Sequence, residues 1–396
     1  LVIEPSCSFT GYKAGALSGS VNGSLTVRHT KNYARVYGEY GVGGFIGMVQ
    51  RLKQRVVISF EDCVNRGHIS VNADNVGGFV GEVVNNTDIT LTISNSTNYG
   101  RVYGRHNVGG FVSFGHNNIK MTMTLSDSVN NGTVDGYESC VGGFVGLLKA
   151  NTDSFVTVSN FSNNGNIMRV QSNGGGIVGH VLSNTNTNIT ISNCINNALV
   201  TGSNWNQGGF IGFVEGNTKM TIAVSKCTNN GNVTGVTNVG SFIGYLKENI
   251  NSVIDAANST NNGIVTGNNG IVGGLLGHIY SETQKTSITV NVINVANKGS
   301  VLSKNNMASG MFYVDQNNNK NVKTTVKNSI NKGIVNAGTY AYGITNNITV
   351  ARNVVSMGNI IGSSGLHTLW YASTDVDLFY AFYGKCTKCS DSVILF

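Results

Sequence analysis

Three things are scarce in this sequence: proline, charge and long apolar runs. Pro5 is the only proline, and charged residues make up 11% of the chain, where an ordinary soluble domain carries about a quarter. The 26 basic residues are scattered, which excludes the concentrated Lys and Arg face with interleaved aromatics that is typical of nucleic-acid binding. No apolar run reaches the ~18 residues of a transmembrane helix, so we expect no membrane span.

Amides, hydroxyls and glycine take the place of charge. The 396 residues include 52 glycines and 56 asparagines, and serine and threonine are abundant. Neutral amide and hydroxyl groups can solvate a surface. Gly and Asn also tolerate positive φ, as tight corners require. This composition favours β structure with many turns.

Two independent markers repeat along the chain with the same period. One is a Gly-Gly-Phe-Ile/Val tetrad, as at 43–46, 77–80, 142–145 and 208–211. The other is an Asn followed two residues later by Gly or Ala, in steps of 32 to 36 residues. A fixed period of this size is typical of solenoids, propellers and other arrays. The second marker occurs at Asn32, Asn65, Asn98, Asn130, Asn163, Asn196, Asn229, Asn261, Asn297 and Asn331.

Each repeat contains a half-buried strand just before the marker Asn. The positions seven and five residues earlier are almost all apolar, as in Leu91/Ile93, while the interleaved positions are mostly polar, as in Thr90/Thr92. Such period-two alternation indicates a strand with one buried face. A short Val-x-Gly run and the Gly-Gly-Phe run supply two further strands.

The sequence therefore predicts an all-β fold. It is a parallel, right-handed β-helix of about ten coils, each of ~33 residues and three strands. A propeller is the main alternative, but its blades need ~40–50 residues and four antiparallel strands.

The predicted domain organisation is an N-terminal cap over 1–12, solenoid repeats over 13–365 and a C-terminal segment over 366–396. The last segment breaks the repeat and is read as a cap or the start of another module. Because the chain begins at Leu1 without a charged-then-apolar leader, we expect a processed or excerpted extracellular segment. The aromatic residues of the C-terminal segment are Trp370, Tyr371, Phe379, Tyr380 and Phe382.

The ten marker asparagines could line a ligand groove, but an internal ladder of amides bonded from coil to coil is the preferred interpretation.

A row of threonines on the outward strand face could similarly suggest ice binding. Asp255 and Asn291 occupy the same position, and a charged group would spoil a flat lattice match. The threonines of this row are Thr26, Thr92, Thr124, Thr157, Thr190 and Thr325.

Asparagine also supplies nine Asn-x-Ser/Thr sequons, which permit N-glycosylation in a secreted protein without requiring it. About this number is expected by chance in so Asn-rich a chain. The candidate glycosylation sites are Asn22, Asn85, Asn95, Asn131, Asn160, Asn188, Asn232, Asn258 and Asn347.

The cysteines offer candidate disulfides rather than a metal site. Cys194 and Cys227 occupy equivalent positions of adjacent repeats, close enough to pair if both side chains face suitably. Cys386 and Cys389 form a CxxC near the C-terminus, which suggests a disulfide or a truncated Cys-rich module. Zinc would require a second such pair.

No catalytic constellation stands out, so we expect neither enzyme activity nor a cofactor. β-Helical polysaccharide lyases and hydrolases need paired carboxylates, and here the 19 acidic residues are scattered. Glu215 and Glu248, one repeat apart, come nearest to a pair, and both are interpreted as solvated surface. The seven histidines show no metal-ligand spacing.

The runs Val36 to Gly47 and Val134 to Gly146 resemble the GLUG-type glycine repeats of bacterial surface adhesins and immunoglobulin-A-cleaving peptidases. Protist surface proteins with similar repeats fit equally well, because this sequence has Phe where the namesake motif has Leu. The similarity extends over about residues 11 to 365.

This resemblance implies an extracellular or cell-surface, non-catalytic rod, acting as a structural, filament-forming or adhesive element. Its partner would be a second copy of itself or a surface ligand, protein or glycan. The alternative function is a β-helix that binds or processes glycans.

Overall fold

The structure of the chain is a computed structural model. It describes residues 1–70, 74–283, 285–315 and 321–369, together with the strands Val376–Leu378 and Gly384–Cys386. Every regular element among them is a β-strand. The described residues include no helical segment that could span a membrane.

The chain winds in repeated coils, and each coil presents four kinds of strand in the same order. The threonine strand has alternating burial, since it places every second side chain inside. The corner strand ends on a buried Asn from the second coil onward. The ridge strand bends in its middle, and in several coils the bend divides it into two pieces. The glycine strand follows the Gly-Gly pair.

The threonine strands are Leu25–Arg28, Val56–Glu61, Ile89–Ser94, Thr122–Ser126, Phe155–Ser159, Asn188–Ser192, Thr221–Ser225, Ser252–Ala257, Ile288–Ile293, Val322–Asn331, Val350–Ser356 and Val376–Leu378. The corner strands are Val2–Ile3, Lys31–Asn32, Val64–Asn65, Thr97–Asn98, Val129–Asn130, Ser162–Asn163, Ile195–Asn196, Thr228–Asn229, Thr260–Asn261 and Ala296–Asn297; the next one is fused into Val322–Asn331.

The ridge strands are Ser8–Gly11, Arg35–Gly38, Tyr40–Gly43, Ile69–Ser70, Asp74–Gly77, Val102–Gly109, Val134–Gly142, Ile167–Gly175, Val200–Gly208, Val233–Gly235, Thr237–Gly240, Val265–Gly267, Val272–Gly273, Val301–Ser303, Ala308–Ser309, Val335–Ala337, Ile360–Gly362 and Gly384–Cys386. The glycine strands are Ser18–Val21, Ile46–Gln50, Val80–Val84, Val112–His116, Val145–Lys149, Val178–Leu182, Ile211–Glu215, Ile243–Lys247, Leu276–Tyr280, Phe312–Asp315, Tyr340–Thr345 and Gly365–Leu369.

Each strand pairs in parallel with its equivalent one coil away. Leu91 lies beside Met123, and Asn98 beside Asn130. The described strands form two parallel sheets, one of 22 strands and one of 30. The predicted all-β solenoid of about ten coils is confirmed, and so is its coil length, because residues one period apart such as Asn65 and Asn98 lie side by side. Three strands per coil was too few, because the corner contributes its own short strand and the ridge strand can divide at its bend.

Two apolar cores run the length of the coils. The larger core lies between the threonine and glycine strands and contains a column of phenylalanines. Phe79 stacks on Phe111 with 4.7 Å between ring centroids. The smaller core lies inside the bend of the ridge strands and consists mainly of valines such as Val134 and Val141. Parallel register makes both cores continuous from coil to coil.

The Gly-Gly pair is required by close approach of the backbone. A Cβ on Gly143 would lie 2.1 Å from the Gly176 carbonyl oxygen of the next coil and 2.8 Å from Cγ of Asn163. A methyl group cannot fit there unless the backbone moves, which explains why most coils have glycine at this position; Ser241 is an exception.

The solenoid register extends into both predicted flanking segments. Val2–Ile3 pairs with Lys31–Asn32, and Ser8–Gly11 with Arg35–Gly38. Gly365–Leu369 pairs with Tyr340–Thr345. The predicted boundaries at residues 13 and 365 therefore do not coincide with the first or last described pairing. The aromatic residues proposed for a C-terminal cap, Trp370 to Phe382, lie outside the described residues.

Candidate functional site

The ten predicted marker asparagines form one interior ladder, as the sequence indicated. All ten side chains are fully buried. The first nine amide nitrogens each donate to the amide oxygen of the next coil, through hydrogen bonds of 2.7 to 3.0 Å. The tenth, that of Asn331, donates to the Ser356 hydroxyl. Most amide nitrogens also donate to a backbone carbonyl, as Asn130 does to Gly132. These groups are used in stacking and leave no groove for a ligand.

A second interior asparagine ladder, which the sequence reasoning missed, follows the glycine strands. Its amides are joined at 2.9 to 3.0 Å. Each amide oxygen also accepts a backbone N–H of the preceding coil, as Asn151 does from Asn118. The steps of 32 or 33 residues could have revealed it. Its members are Asn86, Asn118, Asn151, Asn184, Asn217 and Asn249.

The predicted glycosylation sites lie at the surface. Eight of the nine sequon asparagines are exposed, and Asn347 is half-buried. Some already bond within the protein, as Asn160 does when its amide donates to Asp127 at 2.9 Å. Sugar attachment is therefore sterically open at most of them.

The cysteine predictions divide between described and undescribed residues. Cys194 and Cys227 are buried, free thiols in one column, and the Cys194 backbone N–H lies 3.4 Å from Cys227 Sγ. The disulfide that the sequence allowed is not formed between them. For the Cys386–Cys389 pair, Cys389 lies outside the described residues, and the structure describes only the backbone strand that contains Cys386.

The two acidic residues that came nearest to a catalytic pair are tied to separate partners. Glu215 accepts from the Lys247 ammonium at 2.9 Å. Glu248 accepts from the Glu282 backbone and from the hydroxyls of Thr283 and Thr286.

The predicted threonine row does stand in register along one face, with Ala223, Asp255 and Asn291 within it.

The turns at the bends of successive ridge strands form one strip of the surface, which we call the ridge. Its polar and aromatic side chains are not used in the interior ladders. In register, His106 lies beside Ser139, Ser139 beside Ser172 and Ser172 beside Trp205. The ridge consists of Asp74 and the ranges 12–13, 39–40, 105–106, 137–139, 171–172, 203–205, 236–237, 268–270, 304–306 and 339–340.

Ion pairs cross the ridge between three neighbouring coils. The Arg105 guanidinium lies 3.2 Å from Asp74 and 3.7 Å from Glu138. His106 Nε2 lies 2.5 Å from the Glu138 carboxylate, and its Nδ1 lies 2.9 Å from the Ser139 hydroxyl. All these groups are at least partly exposed. One guanidinium therefore faces two carboxylates, and the imidazole adds a further hydrogen-bonding partner for Glu138.

A third amide column runs along the inner edge of the ridge in left-handed backbone conformation. Asn75, Asn107, Cys140, Asn173, Asn206 and Asn238 have φ between 50° and 62°. Asn tolerates this conformation better than most residues. The Asn206 amide donates to Asn173 at 2.8 Å, and the Asn238 amide to Asn206 at 2.9 Å. The column gives the inner edge of the ridge a similar backbone conformation in these coils.

Beneath the ridge lies a Cys, His and Asn cluster that resembles a nucleophilic site in composition. Cys140 Sγ lies 3.7 Å from His180 Nδ1, and the Asn173 amide lies 3.4 Å from the same nitrogen. Burial raises the pKa of the Cys140 thiol to about 11 and lowers the pKa of His180 to about 3. At neutral pH the pair is a thiol beside a neutral imidazole, so it does not supply the thiolate that cysteine catalysis uses. No sequence pattern pointed to this cluster, because Cys140 and His180 are more than one repeat apart in the chain.

Glu82 is a buried carboxyl group near the first turns of the ridge. It is 1% exposed and receives hydrogen bonds from the Asn75 amide and the Tyr40 hydroxyl. Burial raises the pKa of Glu82 to about 7, although these hydrogen bonds act in the opposite direction. Tyr40 in turn stacks on Tyr12, with 5.9 Å between ring centroids. Glu82 therefore anchors an aromatic pair on the ridge.

A small pocket opens beside this aromatic pair. Its volume is about 360 Å³, and it is lined by Thr10, Gly11, Tyr12, Tyr37, Gly38 and Glu39. This lies near the lower end of the range for small-molecule sites, about 300 Å³. Two tyrosines, one carboxylate and one threonine hydroxyl line it.

Comparison of the chain with protein-family models, curated proteins and solved structures found no match.

Proposed function

We propose that this chain is a non-catalytic structural and adhesive rod that acts outside the cell or at the cell surface. The proposal rests on a difference between the interior and the surface of each coil. Interior polar columns are used in stacking, whereas the ridge varies from coil to coil and carries exposed aromatic and charged groups. Binding residues are often found in turns held by a rigid scaffold.

Three further features support an extracellular, adhesive role. Most sequon asparagines are accessible to glycosylation. The low charge and amide-rich surface suit contact with other neutral polar surfaces. The glycine repeats resemble those of GLUG-type surface proteins, in which such repeats are extracellular and non-catalytic. A rod of ten coils at ~4.8 Å per coil would be roughly 50 Å long.

The proposal is tested with the purified full chain, coated on beads and presented to cells, to surfaces bearing neutral or acidic polysaccharides, and to beads bearing the same chain. We expect retention on at least one of these, with no turnover of the polysaccharides. Antibody labelling of intact source cells should match that of permeabilised cells. A monodisperse monomer that adheres to nothing, or labelling only after permeabilisation, would contradict the proposal.

A further inference from the structure

Aromatic side chains on the ridge are unusually accessible. Among the described residues, five aromatic side chains are exposed: Tyr12, Tyr99, Phe155, Trp205 and Tyr340. Three of them, Tyr12, Trp205 and Tyr340, belong to the ridge. Trp205 is 56% exposed and Tyr12 is 63% exposed. These three rings place apolar surface in water along one strip of the coils.

The spacing of the ridge aromatics suits an extended ligand. Ser139 and Trp205 are separated by two coil steps in the ladder register, or roughly 10 Å. Tyr137 lies in the same turn as Ser139 and stacks on Tyr103, with 6.3 Å between ring centroids. A linear polymer lying along the rod axis could therefore contact more than one ring.

The polar groups of the ridge favour a neutral ligand. Arg105, Asp74, Glu138 and His106 are paired with one another, so an acidic or basic polymer would have to displace these pairs. A neutral hydroxyl-rich ligand can instead add hydrogen bonds to their exposed lone pairs and N–H groups. The two carboxylates outnumber the single guanidinium here, which argues against a polyanion.

The pocket at the first turns of the ridge combines the same elements on a smaller scale. Tyr12 and Tyr37 supply ring surface, Glu39 can accept hydrogen bonds from hydroxyls, and Thr10 can donate or accept. Tyr12 is held from one side by Tyr40, whose hydroxyl is fixed by buried Glu82. This stacking restrains the Tyr12 ring on one side of the pocket, which reduces the entropy cost of ordering that ring on binding.

We propose that the ridge binds a neutral, linear glycan, whose sugar rings place their C–H faces on Tyr12, Tyr137 and Trp205, with one sugar in the pocket beside Glu39. This inference rests on the proposed adhesive function and names its ligand class. It involves no bond making or breaking.

The test measures binding of the full chain to the neutral polysaccharides mannan, dextran and cellulose, with heparin and polygalacturonate as charged comparators. We expect at least one neutral polymer to bind. Its affinity should change less than about threefold between low and high salt, because no net charge is neutralised. Binding confined to the charged polymers would overturn the proposal.

Variants then locate the site. Tyr12→Ala and Trp205→Ala should each weaken binding to the neutral polymer by about tenfold or more, while Tyr12→Phe, which keeps the ring, should retain most of it. Tyr99→Ala and Phe155→Ala are the matched controls, since these aromatics are 45% and 53% exposed but lie off the ridge. They should bind within about twofold of the parent chain, a change of less than ~0.5 kcal/mol.

The outcomes separate the two proposals. If the chain adheres to nothing, the adhesive function itself fails. If it adheres to cells or to its own copies with undiminished strength in the Tyr12→Ala and Trp205→Ala variants, adhesion stands and the ridge glycan site is wrong. Equal losses in ridge and control variants would also overturn the ridge assignment. Circular dichroism of every variant checks that the coils remain folded.

Discussion

Asn163 and Asn164 are neighbours in sequence, and both belong to columns of hydrogen-bonded amides. The Asn163 amide donates to Asn196 at 3.0 Å, and the Asn164 amide donates to Asn131 at 2.9 Å. They differ in burial, because Asn163 is fully buried and Asn164 is exposed. The same kind of hydrogen bond therefore occurs in a buried and in an exposed column, and the two columns differ in how strictly they keep asparagine.

The interior column keeps asparagine in ten successive coils, with Ile3 and Ser356 in register at its two ends, whereas the exposed column changes residue within the same ten coils. The position of Asn164 is Tyr33, Arg66 or Tyr99 in earlier coils and Lys298 or Lys332 in later ones. A buried amide without partners costs about 1–3 kcal/mol, while an exposed one can bond to water. Burial thus makes the repeat invariant inside and leaves the outside, including the ridge, free to acquire function.

The largest expected effect comes from breaking the interior ladder. Asn163→Ala would remove the acceptor of Asn130 and the donor to Asn196, leaving two buried groups without these partners beside a cavity. We expect the free energy of unfolding to fall by about 2–5 kcal/mol. Guanidinium unfolding followed by circular dichroism measures it, and a change below about 1 kcal/mol would contradict the account.

A similar loss is expected where the backbone approaches too closely for a side chain. Gly143→Ala would press a methyl group onto the Gly176 carbonyl of the next coil, and we expect destabilisation by about 1–3 kcal/mol. Gly23→Ala is the control, since no atom lies within 4 Å of the added methyl. Equal unfolding midpoints for the two variants would show that the coils do not approach as described.

The buried carboxyl group should make stability depend on pH. Because the pKa of Glu82 is raised from 4.5 to about 7, the folded chain holds a proton that the unfolded chain has lost, and stability falls as pH rises through this interval. Glu82→Gln removes this dependence. We expect the variant to match the parent near pH 4 and to exceed it by about 3 kcal/mol near pH 8. Thermal unfolding at both pH values measures the difference, and an equal difference at each would count against burial of the charge.

The smallest effect on stability is expected for Asn164, the exposed asparagine of the pair. Asn164→Ala removes a hydrogen bond that water can replace, so stability should change by less than about 0.5 kcal/mol. The same guanidinium unfolding measurement applies. A loss as large as that of Asn163→Ala would show that geometry rather than burial sets the value of the ladders.

The interior architecture was largely predictable, because each interior position needs the same type of residue in successive coils and so leaves a period in the sequence. The marker asparagines, the Leu91/Ile93 type of apolar pair and the Gly-Gly-Phe run each follow from that register. The ladder from Asn86 to Asn249 was missed because it spans fewer coils and lies among other asparagines. The short corner strand and the division of the ridge strand at its bend were also missed, so coils were given three strands.

The candidate site could not be predicted to the same extent. The ridge turns vary in length and composition, so no period points to them. Cys140 and His180 belong to neighbouring coils and to different kinds of strand, and Glu82 meets Tyr40 across a coil boundary. Such contacts depend on how far each bend offsets the residues of one coil from those of the next. The sequence pattern does not specify this offset.

Side-chain amide hydrogen exchange tests the central claim most directly. In protein labelled with 15N at asparagine, the Asn163 and Asn164 signals are assigned from their loss in the two alanine variants. We predict that the Asn163 side-chain protons exchange about 100-fold or more slowly than those of Asn164, because they are released only when the coils separate. Exchange of both at similar, solvent-limited rates would contradict a buried asparagine ladder.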